Sequence, residues 1–327
     1  MNDPFRISVV IPAYNGESYL RRSIDSALAQ TFRPTEIIVV DDDSTDGTAA
    51  VAKGYGDSIR YIYQKNGGGS AARNTGIKAS QGDWIAFLDV DDEWRTCHLE
   101  NAVKVLRKHP ELKWYGAPVN QYIHETGTLI AEYKEKIPGI LVENAYFKDY
   151  MAAFPPYALF VTSTMVIHKS VFDTTGMFDT SKRSGHDQDL WFRIGLHFSE
   201  VGYCHTVAAN KYERNTSITY TKQRDIRRTL AIYRKREELA ESLGEVVRRR
   251  AEPQIMYWVT FRLKNSFSRG DTPAVREICA CYKHRLSLRW RWAARLYLAL
   301  PWAVRPAFAV RNILSAKKRA FRAIGIR

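Results

Sequence analysis

Between residues 6 and 88 one pattern recurs three times and ends on a fourth apolar run: a short β-branched or apolar run, then a turn, then apolar residues at helical spacing. The runs are Ile7 to Ile11, Glu36 to Val40, Ile59 to Tyr63 and Trp84 to Leu88. Between them, Asn15-Gly16 opens a helix through Gln30, and Ser44 to Thr48 supplies cap chemistry for a helix through about Tyr55. Gly67-Gly68-Gly69 leads into a helix from Ala71 to Ala79. Strands alternating with helices at this spacing pair in parallel through right-handed crossovers. The expectation is therefore an α/β fold, Rossmann-like, with a mostly parallel sheet and flanking helices. In such sheets ligands bind beyond the carboxyl ends of the strands, where the strand order reverses.

Two of these strand ends are acidic. The second empties into Asp41-Asp42-Asp43, and the fourth into Asp89, Asp91, Asp92 and Glu93. Crowded carboxylates repel one another and lose hydration, so a cation bound by oxygen ligands or a solvated loop must accommodate them. If the first strand lies between the second and fourth, the two acidic ends stand about 10 Å apart, two strand spacings. That span suits a nucleotide, with Pro12-Ala13-Tyr14 between its ends. A carboxylate such as Asp42 can accept hydrogen bonds from a base imide or a ribose hydroxyl, whereas Asp41 suits a turn cap. Competing motifs fail on spacing. Asp42 to Lys53 lacks the twelfth-position glutamate of a calcium loop. Gly67 to Ser70 offers phosphate-cradling glycines without the Gly-Lys-Ser/Thr ending of a P-loop. Asp89-Val90-Asp91 resembles a dehalogenase-type phosphatase nucleophile motif, but it ends the fourth strand rather than the first. Arg73 and Asn74 open the third helix, where a cation could pair with the acidic residues or a diphosphate. Gly185 to Trp191 places His186, Asp187 and Asp189 at a helix start, with Asp187 as a general-base candidate.

Further on the pattern loosens: strands at Trp114 to Ile123 and Thr128 to Tyr133, an aromatic segment at Tyr146 to Phe160, a strand at Val161 to His168 and an amphipathic helix at His186 to Phe198. Residues 222–268 read as basic helix, broken by Gly244 and Pro253. Charge marks the boundary. Residues 221–327 hold 26 Lys and Arg against 8 Asp and Glu, whereas 1–220 hold 23 against 27, within a total net charge of +14. No acidic residue follows Glu277. The expected domains are 1–220, with a nucleotide half at 1–112 and an acceptor half at 113–220, and a basic helical region at 221–327. From Arg285, Leu286, Trp290, Ala293, Tyr297 and Leu300 share a helical face with arginines off it, and Val310, Leu314, Phe321 and Ile324 recur past Pro306. Such helices suit an anionic membrane surface, a cap on the catalytic domain being the alternative. No nucleic-acid module accompanies the charge. The four scattered cysteines show no metal spacing, and neither a signal peptide nor a membrane-spanning run is evident.

IPAYNGESYL, VVDDDSTDGT, GGGSAARNTGIKASQGDWIAFLDVDDEW and GHDQDLWFR, in this order and at these separations, closely resemble the GT2 family of inverting glycosyltransferases with the GT-A fold, over residues 6 to 220. That resemblance implies a nucleotide pocket lined by Pro12, Ala13, Tyr14, Asp42, Arg73 and Asp89, with Asp42 on the base. It implies Mn2+ or Mg2+ held by Asp91, with Asp92 beside it, and Asp187 as catalytic base. The chain departs from the family at His186, where glutamate is frequent, and at Lys211 to Asn215, where a Tyr-Arg-x-His run is frequent; Arg214 is the candidate substitute there. The implied function is metal-dependent transfer from a nucleotide-sugar, UDP-sugar favoured, to a lipid-linked or membrane-associated glycan acceptor. This places it at the cytoplasmic face of the cell membrane in cell-surface polysaccharide or glycolipid assembly. A catalytically silent nucleotide-sugar-binding scaffold of the same fold is the alternative.

Overall fold

The computed structural model describes residues 5–131, 141–154, 160–182, 184–213 and 225–300. The chain divides into two compact units, 1–220 and 221–327.

In the first unit, β1 (Ile7–Ala13), α1 (Glu17–Leu28), β2 (Glu36–Asp42), α2 (Thr48–Lys53), β3 (Arg60–Gln64), α3 (Gly69–Ala79) and β4 (Trp84–Phe87) follow the alternation expected from sequence. β1 pairs in parallel with both β2 and β4, and β3 flanks β2, giving the order β3-β2-β1-β4. The acidic ends of β2 and β4 therefore do flank the end of β1. Alternation along each strand divides the core. Val9, Ile11, Ile37 and Val39 face one layer with Leu20, Ile24 and Leu99; Ile38 and Val40 face Ala72 of α3. Gly76 allows that second contact to be close, because a Cβ there would stand 2.3 Å from Val10 Cγ1.

Beyond β4 the sheet is mixed, in the region where the sequence pattern changes to mixed strands. After β5 (Glu93–Trp94) and α4 (His98–Lys108), the segment read as one strand from Trp114 splits into β6 (Trp114–Gly116) and β7 (Val119–Ile123), which enter different sheets. Pro118, lacking an N–H, sits at the break. β8 (Leu129–Ala131), β9 (Leu141–Val142), β10 (Tyr146–Phe147), α5 (Tyr150–Ala153), β11 (Val166–His168), α6 (Val171–Thr175), α7 (His186–His197), β12 (Val201–Tyr203) and β13 (Ala209–Glu213) complete the unit. The nine-stranded sheet continues β4-β11-β6-β12-β10-β9, with β11 antiparallel to β4; a second sheet runs β5-β13-β7-β8. The strand expected from Val161 begins only at Val166, after a 3-10 turn over Thr162–Thr164.

The second unit contains α8 (Ile226–Ser242), α9 (Glu245–Arg269), α10 (Thr272–Tyr282) and α11 (Leu288–Ala299). Gly244, at φ 102°, separates α8 from α9 as expected. Pro253 does not break α9. It lies nine residues into a 25-residue helix whose Ala251, Gln254 and Ile255 are buried, so packing on both sides outweighs one lost backbone hydrogen bond. Arg285 ties the unit together, its guanidinium donating to Glu237 of α8 at 2.5 Å and to Glu252 of α9 at 3.1 Å. Among the described residues no helix is long and apolar enough to cross a membrane. Arg214 and the repeat past Pro306 lie outside the described residues.

Candidate active site

A cavity of about 860 Å³ opens at the carboxyl ends of β1, β2 and β4. Pro12, Ala13 and Tyr14 line it from β1, Asp42 from β2, Asp89 and Asp91 from β4, and Arg73 from α3. Asn66 to Ser70 and the segment Thr180 to Lys182 with His186 close its sides. Seven of the nine site residues expected from sequence thus share one cavity. Asp92 and Asp187 do not line it.

Asp42 is buried and organises the glycine loop. Its carboxylate accepts from Gln64 Nε2 at 2.6 Å, Gly67 N at 2.9 Å and Gly68 N at 2.7 Å. Thr75 in turn donates to Gln64 Oε1 at 2.6 Å. The first two loop amides are therefore spent on Asp42, so these glycines serve the geometry of the turn. Gly68, at φ 82°, takes a backbone conformation that side chains disfavour. Asp41 behaves as a turn cap, accepting from Ser44 N at 2.9 Å and from Tyr61 Oη at 2.7 Å. Burial and that carboxylate push the Tyr61 phenol well above its ordinary pKa.

The β4 end is organised by cations. Arg73, almost fully buried, forms an ion pair with Asp89 and donates to His186 Nε2 at 3.1 Å. Burial works to raise the Asp89 carboxyl, but Arg73 and then Lys211 outweigh it and hold it below the usual carboxylate range. Because guanidinium only donates, His186 accepts at Nε2 and carries its proton on Nδ1, which is buried without a partner among the described residues. Burial and Arg73 push the His186 pKa down, keeping it neutral. Asp92 turns the other way, into the protein, where Ser163 Oγ donates to it at 2.5 Å and Tyr212 N at 3.1 Å. Burial pushes its pKa up to about 7 against the opposing pull of Lys211. The Lys211 ammonium, on β13, is held above its ordinary pKa chiefly by Asp92, with Asp89 and Asp91 adding to it. Ser163 was not singled out from sequence, and Lys211 entered only as the first residue of the run that departs from the family pattern; both lie more than 70 residues from the carboxylates they act on.

Asp187 occupies the first turn of α7, beside His186, in a half-buried position. Its neighbour Asp189 is structural, accepting from Lys182 Nζ at 2.5 Å and Arg193 Nε at 3.0 Å. Arg193 also donates to the carbonyls of Thr175, Gly176 and Met177, fixing the segment that precedes α7. Asn74 grips the same segment reciprocally: its Nδ2 donates to Phe178 O at 2.8 Å and its Oδ1 accepts from Phe178 N at 3.0 Å.

Among the described residues no three His, Cys, Asp or Glu side chains are arranged to hold a metal by themselves. A cation shared between one cavity carboxylate and the oxygens of a diphosphate fits the donors present, because Mg2+ ordinarily keeps several waters and takes one or two carboxylates plus substrate phosphate. Asp91, lining the cavity, is the residue placed for that.

Known proteins resemble the chain in both sequence and fold. The family model described as Glycosyl transferase family 2 matches residues 8–174. An uncharacterized glycosyltransferase of Rickettsia typhi is 34% identical over 218 residues, 66% of this chain and 66% of that protein. One of Rickettsia prowazekii is 34% identical over 204 residues, 62% of each. The chain thus spans less than two thirds of the length of either relative. The crystal structure of S. aureus TarS 1-349 in complex with UDP-GlcNAc superposes with a TM-score of 0.68 at 16% identity, covering 93% of this chain and 89% of that one. At that identity the likeness concerns the fold, which is GT-A: a mixed α/β sheet with flanking helices, followed here by a helical region.

Proposed function

The chain belongs to glycosyl transferase family 2, and on that premise we propose that it transfers a sugar from a nucleotide-sugar to an acceptor hydroxyl with inversion. The observation that carries the reading is the cavity joining Asp42, Arg73 and Asp91 at the strand ends. UDP-sugars are the favoured donors, and the bound UDP-GlcNAc of TarS supports that choice. Pro12, Ala13 and Tyr14 line the nucleotide pocket, and Asp42 faces the base while holding the glycine loop in place. Arg73 and Asp89 brace one another at the pocket floor. Asp91, with Asp92 behind it in the same turn, would hold Mn2+ or Mg2+. When bound, that ion neutralises charge on the departing diphosphate.

The protein's own chemical step is removal of the acceptor proton. Asp187 takes the proton from the attacking hydroxyl as that oxygen bonds to the anomeric carbon and the diphosphate departs. One displacement inverts the anomeric configuration without a covalent intermediate. The acceptor is a lipid-linked or membrane-associated glycan at the inner face of the cell membrane, in assembly of cell-surface polysaccharide or glycolipid; the basic second unit supports that choice. The test is transfer by Asp187→Asn with a panel of UDP-, GDP- and dTDP-sugars. Loss of a general base lowers turnover about 10²–10⁴-fold. Donor binding, measured by calorimetry, should be retained. Turnover equal to the wild type would remove Asp187 from the mechanism.

A further inference from the structure

Helix α11 carries two apolar faces, and the structure packs only one of them. Tyr297 is 0% and Leu286, just before the helix, 2% exposed. Trp290 and Tyr297 pack on Phe267 of α9, with ring centroids 6.3 Å and 4.8 Å away. The face assigned from sequence to a membrane is thus largely internal to the helical unit. On the opposite side, at i, i+4 and i+8, stand Leu288, Trp292 and Leu296, which are 71%, 66% and 53% exposed. At 100° per residue these form a single stripe, with Arg289 on one flank and Arg295 on the other. The Arg295 guanidinium lies 5.3 Å from the Trp292 ring centroid, at the border between the apolar and cationic zones.

We propose that this outward face of α11 is a docking surface for an anionic lipid bilayer. Leu288, Trp292 and Leu296 enter the headgroup–acyl boundary, and Arg289 and Arg295 pair with lipid phosphates. Two observations select this occupant. From residue 278 to 300 there are five Lys and Arg and no acidic residue, so the surface complements negative charge. A second copy of the chain, joined through the same face, would set arginines against arginines, which repel. A leucine–tryptophan stripe between arginines has the composition of a helix lying in the plane of a membrane interface, with its cations snorkelling outward. The proposal is independent of the catalytic reading.

Co-sedimentation of the full chain with phosphatidylglycerol–phosphatidylcholine vesicles, against pure phosphatidylcholine vesicles, tests it without donor or turnover. The chain should bind the anionic vesicles and be released by salt. Leu288→Ser, Trp292→Ser and Leu296→Ser combined should weaken binding about a hundredfold or more, since each removes a large apolar side chain from the contact. Arg289→Gln and Arg295→Gln should each weaken it roughly fivefold. Circular dichroism of these surface variants verifies folding. As a second readout, lipid brominated near the headgroup should quench wild-type tryptophan emission more than that of Trp292→Phe. Wild-type binding by the triple serine variant overturns the proposal, as does equal binding to neutral vesicles. So does a chain that ignores vesicles while the triple variant dissolves a dimer or abolishes binding to duplex DNA. Loss of vesicle binding with donor affinity intact would leave the catalytic reading untouched.

Discussion

Two strand ends two spacings apart each carry a run of carboxylates, and the protein stabilises them by different means. At the end of β2, neutral donors do the work: loop amides and a glutamine on Asp42, a tyrosine and a turn amide on Asp41. At the end of β4, cations do it: the buried Arg73 on Asp89, and the half-buried Lys211, whose charge acts on Asp92, Asp89 and Asp91. Neutral donors fix a carboxylate's orientation and keep its acceptor character. Cations cancel its charge over several ångströms. The difference explains why one end shapes a loop and the other sets the charge of the cavity.

Removing Lys211 should cost most. Lys211→Met removes the cation whose charge opposes the burial of Asp92 and leaves Arg73 alone on Asp89, and a buried carboxylate that loses its compensation costs more than about 3 kcal/mol. Denaturant unfolding measures it; a cost under about 1 kcal/mol would mean that the cationic end is compensated from elsewhere. Asp42→Asn should cost less, about 1–3 kcal/mol, because it swaps one acceptor for a donor facing Gln64 and the glycine amides. Should the two variants prove equally costly, the distinction between the ends fails.

His98 supplies a contrast with neither kind of partner. Both its ring nitrogens are buried without a partner among the described residues, and burial alone pushes its pKa down to about 3. The unfolded chain takes up this proton near pH 6.5 while the folded chain refuses it until about 3. The His98 contribution to stability should therefore fall as pH drops through that window, by up to about 1.4 kcal/mol per unit, while Asp92, whose carboxyl is raised to about 7, offsets it above about 3.8 by binding its proton first in the folded chain. His98→Leu should remove the His98 share of the slope between pH 6 and 4. Asp89, held below the usual carboxylate range, adds an acid-side loss only below about 3.8, so the two contributions separate on the pH axis.

How much was legible beforehand follows the same division. The alternation of β1 to β4 with α1 to α3, the acidic strand ends and Asp41 as a turn cap follow from contiguous signals: apolar runs, turn residues and a helix start; the place of β1 between β2 and β4 entered only as a condition, which the sheet order meets. Lys211 and Ser163 act across more than 70 residues; nothing local marks Ser163, and the run that begins at Lys211 pointed to Arg214 rather than to the lysine. The outward turn of Asp91 and inward turn of Asp92 was equally invisible, since adjacent carboxylates read alike. On α11 periodicity found a real apolar face but not which side the unit packs, because two stripes share one helix. Pro253 was read by local propensity and overruled by burial on either side of it.

The reciprocal grip of Asn74 on Phe178 has a consequence for engineering. α3 receives the loop held by Asp42, carries Arg73 at its centre, and clasps through Asn74 the segment leading into α7. The cavity at the strand ends and the helix bearing Asp187 are thus mounted on one beam, seated on β1 where Gly76 meets Val10. A substitution along that beam moves both ends at once, so KM and kcat should change together; tuning either alone calls for changes at the rim.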